Sequence, residues 1–136
     1  MKTVWLITGT RSLGESGRRL VVDTLTRERT THGYPDLVIH GDCKGVDRFV
    51  AGLCQQLGIE LLAMPADWEG WRAKGQVKKA GPERNKAMVT AALGLEEQGW
   101  AVRYLAFPRG ESTGTRGCIA LCEGVGFPGV ITELPL

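Results

Sequence analysis

The amino-acid sequence predicts an α/β fold built on a mainly parallel sheet of five strands. Short apolar runs typical of buried strands alternate with amphipathic, helix-like runs from one end of the chain to the other. No linker, internal repeat or low-complexity segment divides the 136 residues. Alternation of this kind places helices on both faces of the sheet in a Rossmann-like doubly wound arrangement. We therefore expect one domain that covers residues 1–136.

The first half of the chain is predicted to form two strands and two helices. An apolar run at residues 3–7 indicates the first strand, and a partial apolar stripe within residues 15–29 indicates the first helix. Residues 36–40 form a second strand-like run. Within residues 44–57 apolar side chains recur at steps of three and four, which is typical of an amphipathic helix, and Gly58 is placed to end it.

The middle of the chain contains a third strand, the longest predicted loop and a third helix. Residues 59–64 are strand-like, and Pro65 ends them. Residues 66–81 show no periodicity, and long loops inside compact domains are more often functional than idle. Pro82 suits the first residue of a helix, whose apolar pattern continues to Gly99.

The last part of the chain predicts a strand at residues 101–107, a helix that ends near residue 126 and a final strand at residues 129–132. Residues 107–118 join the strand at residues 101–107 to the following helix and are rich in glycine and hydroxyl groups. A turn from strand to helix presents backbone N–H groups and a helix N-terminus, which suit an anion such as phosphate. This turn is a candidate phosphate-binding loop.

The turn matches neither of two common phosphate-loop signatures. Gly110 and Gly114 are separated by three residues rather than the four of a Walker A loop, and Thr115 stands where that loop has lysine. A Gly-x-Gly-x-x-Gly pattern is also absent. Taken alone, the stretch is equally consistent with a glycine-rich turn that only reverses the chain.

The composition is that of an ordinary globular protein, with 43% hydrophobic and 24% charged residues. A formal net charge of +2, from 17 Lys and Arg against 15 Asp and Glu, is too small to indicate a nucleic-acid-binding surface. The apolar run at the start is too short for a signal-peptide core, and no segment reaches the length of a membrane span. We expect a cytoplasmic protein without a membrane partner.

The four cysteines are expected to be reduced and to pack as small apolar side chains. None belongs to a Cys-x-x-Cys pair. Cys118 and Cys122 are four residues apart on a predicted helix, but neither histidine stands at a matching spacing nearby. We therefore predict no metal site, and no feature of the sequence requires a bound cofactor.

The loops that follow the strands are expected to meet, because ligands of such sheets bind in the crevice at the carboxyl ends of the strands. Glycine lets the backbone approach a ligand closely, and arginine or lysine supplies charge that suits phosphate. The cationic residues at this edge are Arg11, Lys44, Arg84, Arg109 and Arg116. The residues predicted to bind the ligand are Gly9, Arg11, Ser12, Gly41, Asp42, Lys44, Gly45, Asp47, Asp67, Trp68, Arg84, Asn85, Gly110, Gly114 and Thr115.

Aromatic and acidic side chains in the same loops have predicted roles. Trp68 is a candidate to stack on a base, whereas Trp71 is expected to anchor the long loop to the core. Asp42 and Asp47 are predicted to accept hydrogen bonds from ribose hydroxyls, with interaction with the helix dipole as the alternative for Asp47. His40 is expected to pack at the end of its strand rather than to act in catalysis.

Five stretches, in this order, resemble a known family. They are Thr-Gly-Thr-Arg at residues 8–11, His-Gly-Asp-Cys-Lys-Gly-Val-Asp at 40–47, Pro-Ala-Asp-Trp at 65–68, Ala-Gly-Pro-Glu-Arg-Asn-Lys-Ala-Met at 80–88, and Ala-Phe-Pro at 106–108 with Gly-Thr at 114–115. The set resembles the YspA/YpsA-related SLOG family (DUF2493) over nearly the whole chain. The resemblance implies a Rossmann-like fold and a nucleotide or nucleotide-derived ligand.

One branch of the wider SLOG superfamily, the cytokinin-activating branch, hydrolyses the bond between a base and ribose 5′-monophosphate. It uses an arginine and a glutamate from a Pro-Gly-Gly-x-Gly-Thr-x-x-Glu motif. By position the arginine resembles Arg84, but Cys118 occupies the place of the glutamate. A neutral thiol cannot stabilise a developing oxocarbenium ion as a carboxylate does. Glu111 and Asp67 are the remaining candidates for an acid or base.

Three functional hypotheses follow. The first is a module that senses or sequesters a nucleotide, with phosphate on residues 110–115 and Arg84, and the sugar or base near residues 41–47 and Trp68. The second is a nucleotide N-glycosidase. The third is binding of single-stranded nucleic acid, which the DNA-processing branch of the superfamily implies and the near-neutral charge opposes. A homo-oligomer also stays open, because related proteins commonly pair through helices.

Overall fold

The sheet has five strands, and the computed structural model, which describes residues 1–136, confirms the predicted α/β fold. The strands are β1 (Thr3–Gly9), β2 (Leu37–His40), β3 (Glu60–Ala63), β4 (Ala101–Phe107) and β5 (Gly129–Ile131). They lie in the order β3-β2-β1-β4-β5, and every neighbouring pair is parallel. The sheet is therefore wholly parallel, which agrees with the predicted, mainly parallel arrangement.

Five α-helices connect or follow the strands. They are α1 (Gly14–His32), α2 (Val46–Leu57), α3 (Trp68–Ala73), α4 (Ala80–Glu97) and α5 (Thr113–Gly124), with one turn of 3₁₀ helix at Val77–Lys79. None of these helices combines the length and the apolar character that crossing a membrane requires.

Each face of the sheet is covered by a pair of helices, because side chains along a strand alternate between faces. In β1, Val4 and Leu6 pack with residues of α4 and α5, whereas Trp5 and Ile7 pack with residues of α1 and α2. All four side chains are buried. Burial on both faces explains the near-continuous apolar character of the three central strands, β2, β1 and β4.

The winding of the chain reverses between β1 and β4. After β1 the chain builds β2 and β3 on one side of the sheet, and it then returns to add β4 and β5 on the other side. The connections that leave the carboxyl ends of β1 and β4 therefore run to opposite faces. Such a reversal opens a crevice at this edge, which is the usual ligand position in doubly wound sheets.

The prediction of an irregular loop at residues 66–81 is wrong. This segment contains α3, which is capped by Asp67, whose Oδ1 accepts a hydrogen bond of 3.0 Å from the N–H of Gly70. The following helix begins at Ala80, so Pro82 is not its first residue. Proline is tolerated there because the first N–H groups of a helix have no intrahelical acceptor.

The start of α5 also differs from the sequence-based expectation. α5 begins at Thr113, so the second half of the predicted turn at residues 107–118 is helical. Ser112 adopts a left-handed φ of 40° and turns the chain into the helix. Gly114 has low helix propensity, but the helix is held by packing of residues such as Cys118, which is fully buried in the core.

A buried ion pair fastens α1 to the sheet. Arg103 of β4 donates hydrogen bonds from Nη2 and Nε to Oε1 of Glu28, at 2.7 and 3.2 Å. Glu28 is buried, and Nε2 of His32 lies 3.8 Å from its other carboxylate oxygen. The two hydrogen bonds satisfy the charge of a carboxylate that has been removed from water.

Replacing Glu28 by glutamine is expected to lower the free energy of unfolding by about 2 kcal/mol, because it leaves the Arg103 guanidinium partly buried without a counter-charge. Urea denaturation at neutral pH measures the change. Asp23→Asn is the control, since Asp23 lies exposed on the same helix. Equal effects of the two substitutions would mean that the ion pair contributes nothing beyond a surface charge.

Candidate functional site

A cavity of about 640 Å³ lies at the carboxyl ends of β1 and β4. It lies between the loop after β1, the first turns of α4 and the start of α5. Of the residues predicted to bind a ligand, it brings together Gly9, Arg11, Asp47, Trp68, Arg84, Asn85, Gly114 and Thr115. A neighbouring cavity of about 300 Å³ contains Gly41, Asp42 and Lys44. The predicted crevice therefore exists as two adjoining cavities, which we call the larger and the smaller cavity.

The N-terminus of α5 forms one wall of the larger cavity. Ser112, Thr113, Gly114 and Thr115 all line it. No side chain caps this helix end, and the first N–H groups of a helix have no acceptor within the helix. Together with the helix dipole, these donors produce a positive potential. This wall can therefore hold an anion.

Arg84 links this region to the loop after β2. Its Nη1 donates a hydrogen bond of 2.6 Å to the carbonyl oxygen of Gly41, and Nη1 and Nη2 lie 3.5 and 3.6 Å from Sγ of Cys43. A Cβ at position 41 would overlap the Arg84 guanidinium, so glycine there leaves room for this arrangement of Arg84. Arg84 thus holds the loop as well as lining the larger cavity.

Asn85 continues the same network towards α5. Its buried side chain accepts a hydrogen bond of 2.9 Å from Nε of Arg84 and donates one of 3.1 Å to the carbonyl oxygen of Gly114. The guanidinium is therefore oriented by a side chain that is itself fixed to the anion-binding wall. Asn85 thus connects the Arg84 guanidinium to the first turn of α5.

Asp47 has a role that the sequence did not reveal. Its buried carboxylate accepts hydrogen bonds at Oδ2 from the N–H groups of Gly41 and Cys43, at 3.1 and 3.3 Å. Oδ1 is buried and has no hydrogen-bond partner. Burial raises the pKa of Asp47 to about 6, although the N–H of Cys43 and the charge of Arg84 oppose the shift. Asp47 therefore holds the β2–α2 loop, and it also lies in the first turn of α2, the position from which the predicted interaction with the helix dipole would act.

His40 lies at the end of β2 and packs there as expected. It is buried, and its Nδ1 accepts a hydrogen bond of 3.0 Å from the N–H of Asp42. Burial lowers the pKa of His40, which keeps the imidazole neutral and able to accept that bond. Asp42 has a left-handed φ of 55°, and its carboxylate lies 3.5 Å from Nε of Arg48 at the rim of the smaller cavity.

The two tryptophans differ in position. Trp68 is 38% exposed and lines both cavities, with the Arg11 guanidinium 5.3 Å from its ring centroid. Trp71 is half-buried between Lys74 and Lys79, whose Nζ atoms lie 4.9 and 5.8 Å from the ring centroid. Trp68 is therefore the tryptophan that a ligand in the crevice would meet.

Several predicted residues do not line either cavity. These are Ser12, Gly45, Gly110 and Glu111. Asp67 caps α3 and lines a different cavity, of about 430 Å³, beside Trp71 and Arg84. Gly45 lies against the backbone of Thr10 and Arg11, where it fits α2 to the loop after β1.

Arg109 and Arg116, which were expected to supply charge to the crevice, are instead bound to the segment after β5. Arg109 donates hydrogen bonds to the carbonyl oxygens of Ser12 and Pro135 at 3.1 and 2.9 Å. Arg116 forms two hydrogen bonds with the Glu133 carboxylate, at 2.8 and 2.9 Å. The physical reason is that Leu134 is buried in the core beside α1, which brings this segment against the β4–α5 turn.

Other residues of the larger cavity were not predicted. Lys78 and Lys86 line it, as does Cys43, which is half-buried rather than part of the core. The other three cysteines are buried as expected. Lys86 could have been predicted to line the cavity, because it directly follows Arg84 and Asn85. The position of Lys78 could not, because it depends on the unpredicted turn at Val77–Lys79.

An apolar cavity of about 300 Å³ lies at the other edge of the sheet, between α1 and α2. Of its 13 lining residues, 10 are hydrophobic, among them Trp5, Leu25 and Val50. Arg29 is its one charged residue. It lacks the backbone donors and the group of cations that the crevice provides. The crevice is therefore the stronger candidate for the functional site.

Comparison with known proteins identifies a phage relative. The Gene 61 protein of Mycobacterium phage D29 is 35% identical to this chain over 128 residues, which cover 90% of each protein. No protein-family model matches the chain, and no solved structure matches it. The similarity concerns nearly all of both chains rather than one motif.

Proposed function

The chain belongs to the family of the Gene 61 protein of Mycobacterium phage D29, and we propose that it binds a nucleotide or nucleotide-derived ligand in the crevice, as a sensor or sequestering module. In this proposal the phosphate lies on the first turn of α5 and beside Arg84, and the sugar or base lies near residues 41–47 and Trp68. The resemblance of the loop motifs to the SLOG family supports the same ligand class.

The observation that carries the proposal is the meeting of two anion-binding elements at the point where the sheet reverses its winding. The N–H groups of α5 and the guanidinium of Arg84 line the same cavity, and Asn85 connects them. Lys78 and Lys86 add positive charge to the walls. Backbone donors, a planar guanidinium and lysines together are the groups that proteins use to bind phosphate.

Two positions argue against cleavage by the mechanism of the cytokinin-activating branch. Cys118, which stands in place of the glutamate of the cytokinin-activating branch, is fully buried. Glu111 is exposed and lies outside both cavities. Neither residue offers a carboxylate beside Arg84 to stabilise an oxocarbenium ion.

Isothermal titration with nucleoside mono-, di- and triphosphates, cyclic nucleotides and ADP-ribose tests the proposal. At least one of these ligands is expected to bind, and Arg84→Ala is expected to weaken its binding about tenfold, because a charge-assisted hydrogen bond to phosphate is lost. Arg19→Ala is the control, since Arg19 is exposed on α1 and outside both cavities. Absence of binding by every ligand, or equal effects of the two substitutions, would contradict the proposal.

A further inference from the structure

We infer that the ligand carries a chain of at least two linked phosphates, as in a nucleoside diphosphate, a nucleoside triphosphate or a pyrophosphate-linked conjugate. The inference rests on the proposed nucleotide-binding function and specifies the ligand class within it. It follows from the charge of the larger cavity, from the connection between the two cavities and from an acceptor oxygen without a partner.

The larger cavity is strongly unbalanced in charge. Four cationic side chains line it, those of Arg11, Lys78, Arg84 and Lys86, against one carboxylate, that of Asp47. Glu83 offsets part of the charge of Lys86, with Nζ and Oε1 3.4 Å apart. The N-terminus of α5 adds a partial positive charge. A terminal phosphate carries about −1.5 to −2 charges, so the cations exceed what one phosphate neutralises.

The cations that line the larger cavity also belong to separate segments of the chain. Arg84 is fixed beside α5 through Asn85 and Gly114. Lys78 lies on the 3₁₀ turn that precedes α4, and Arg11 lies on the loop after β1. Cations on three separate segments offer separate partners to the phosphates of a chain that extends along the cavity.

The smaller cavity gives the nucleoside a place beyond the phosphates. Arg11, Cys43 and Trp68 line both cavities, so the Arg11–Trp68 stack stands where they join. Both volumes, about 640 and about 300 Å³, are in the range of small-molecule sites. A ligand with its base at Trp68 therefore directs its phosphates into the larger cavity.

Asp47 supplies an independent indication that a polar ligand belongs here. Asp47 lines the larger cavity and is only 5% exposed, and its buried Oδ1 has no hydrogen-bond partner. Buried acceptors without a partner are rare, because they cost free energy. Oδ2 is already used by the N–H groups of Gly41 and Cys43. A hydroxyl of the ligand, such as one from ribose, would satisfy Oδ1 near the junction of the cavities.

Isothermal titration in the presence of EDTA tests the inference. The ligands are AMP, ADP and ATP and the corresponding guanosine, uridine and cytidine nucleotides. For the base that binds most tightly, the diphosphate is expected to bind about tenfold more tightly than the monophosphate. Replacing both Lys78 and Lys86 by alanine is expected to reduce this ratio to within about twofold of unity, with little change for the monophosphate.

The control variant replaces Lys74 and Lys79 by alanine. These lysines lie in the same part of the chain and contact Trp71, but they line neither cavity. The control is expected to keep the preference for the diphosphate. Equal binding of mono- and diphosphates overturns the inference and leaves the nucleotide-binding function standing. A preference for the diphosphate that survives loss of Lys78 and Lys86 overturns the assignment of the second phosphate to these two lysines. Absence of binding throughout the series overturns both.

Discussion

Replacing Gly45 by alanine is expected to lower the free energy of unfolding by about 4 kcal/mol, because strain and steric overlap act together. Gly45 has φ 90° and ψ −129°, a conformation that only glycine adopts readily. A Cβ at this position would lie 2.7 Å from the carbonyl carbon and oxygen of Arg11, and closer still to the oxygen of Thr10. These neighbours are backbone atoms and cannot rotate away.

The overlap would also disturb the approach of α2 to β1. The N–H of Val46 donates a hydrogen bond of 3.1 Å to the carbonyl oxygen of Thr10, directly beside Gly45. Moving the backbone to accommodate a methyl group would weaken this bond and displace Val46, which is fully buried. Chemical denaturation gives the loss of stability, and binding measurements show whether the loop after β1 has moved.

Substitutions at two other glycines of α2 distinguish backbone strain from steric overlap. Gly58 ends α2 with a left-handed φ of 71°, and a Cβ added there would have no atom within 4 Å, so Gly58→Ala tests strain without overlap. Gly52 lies inside α2 with open space beside it, so Gly52→Ala tests helix propensity. We expect a loss of about 1 kcal/mol for the first and a gain of about 0.5–1 kcal/mol for the second. A loss at Gly45 no larger than at Gly58 would contradict the steric argument.

The sequence was sufficient to predict the sheet because its three central strands, β2, β1 and β4, are buried on both faces. The apolar run of β4 ends where the structure ends the strand, at Phe107. The sequence was insufficient to predict α3, because a helix of 6 residues leaves no periodic pattern and depends on a single cap, Asp67. The early start of α5 was hidden by Gly114 and Gly117, whose low propensity is overcome by packing.

The candidate site could be predicted in part for the same kind of reason. The fold rule alone placed Gly9, Arg84 and Asn85 at one edge of the sheet, where the structure has them. The partners of Arg109 and Arg116 could not be predicted, because they depend on how the segment around Leu134 packs across the sheet from a distant position in the sequence. Local patterns identify which residues carry charge, but tertiary packing determines which charges face the ligand.

Asp47 is expected to make the protein less stable as the pH rises from 4 to 7. Burial raises the pKa of its carboxyl from 3.8 to about 6 in the folded protein. Between these values the folded protein keeps a proton that the unfolded chain has released, so the free energy of unfolding falls with rising pH. The shift corresponds to a loss of about 3 kcal/mol, which is complete above the folded-state pKa.

Asp47→Asn isolates this contribution, because asparagine retains an oxygen that can accept the hydrogen bonds of Gly41 and Cys43 but does not titrate. Relative to the native protein, the variant is expected to gain about 2.5 kcal/mol between pH 4 and pH 7, measured by urea denaturation at each pH. The exposed pair of Arg116 and Glu133, which lowers the pKa of Glu133, is present in both proteins and therefore cancels in the difference.

The groups around Asp47 determine the size of this expected pH-dependent difference in stability. The N–H groups of Cys43 and Gly41 and the charge of Arg84 stabilise the carboxylate, whereas burial and the charge of Asp42 favour its protonated form. If the difference between native protein and variant stays constant from pH 4 to pH 7, the donors and Arg84 outweigh burial. The Asp47 carboxylate would then be charged throughout this range, and an NMR titration of its carboxyl carbon would show a midpoint near or below about 4 instead of near 6.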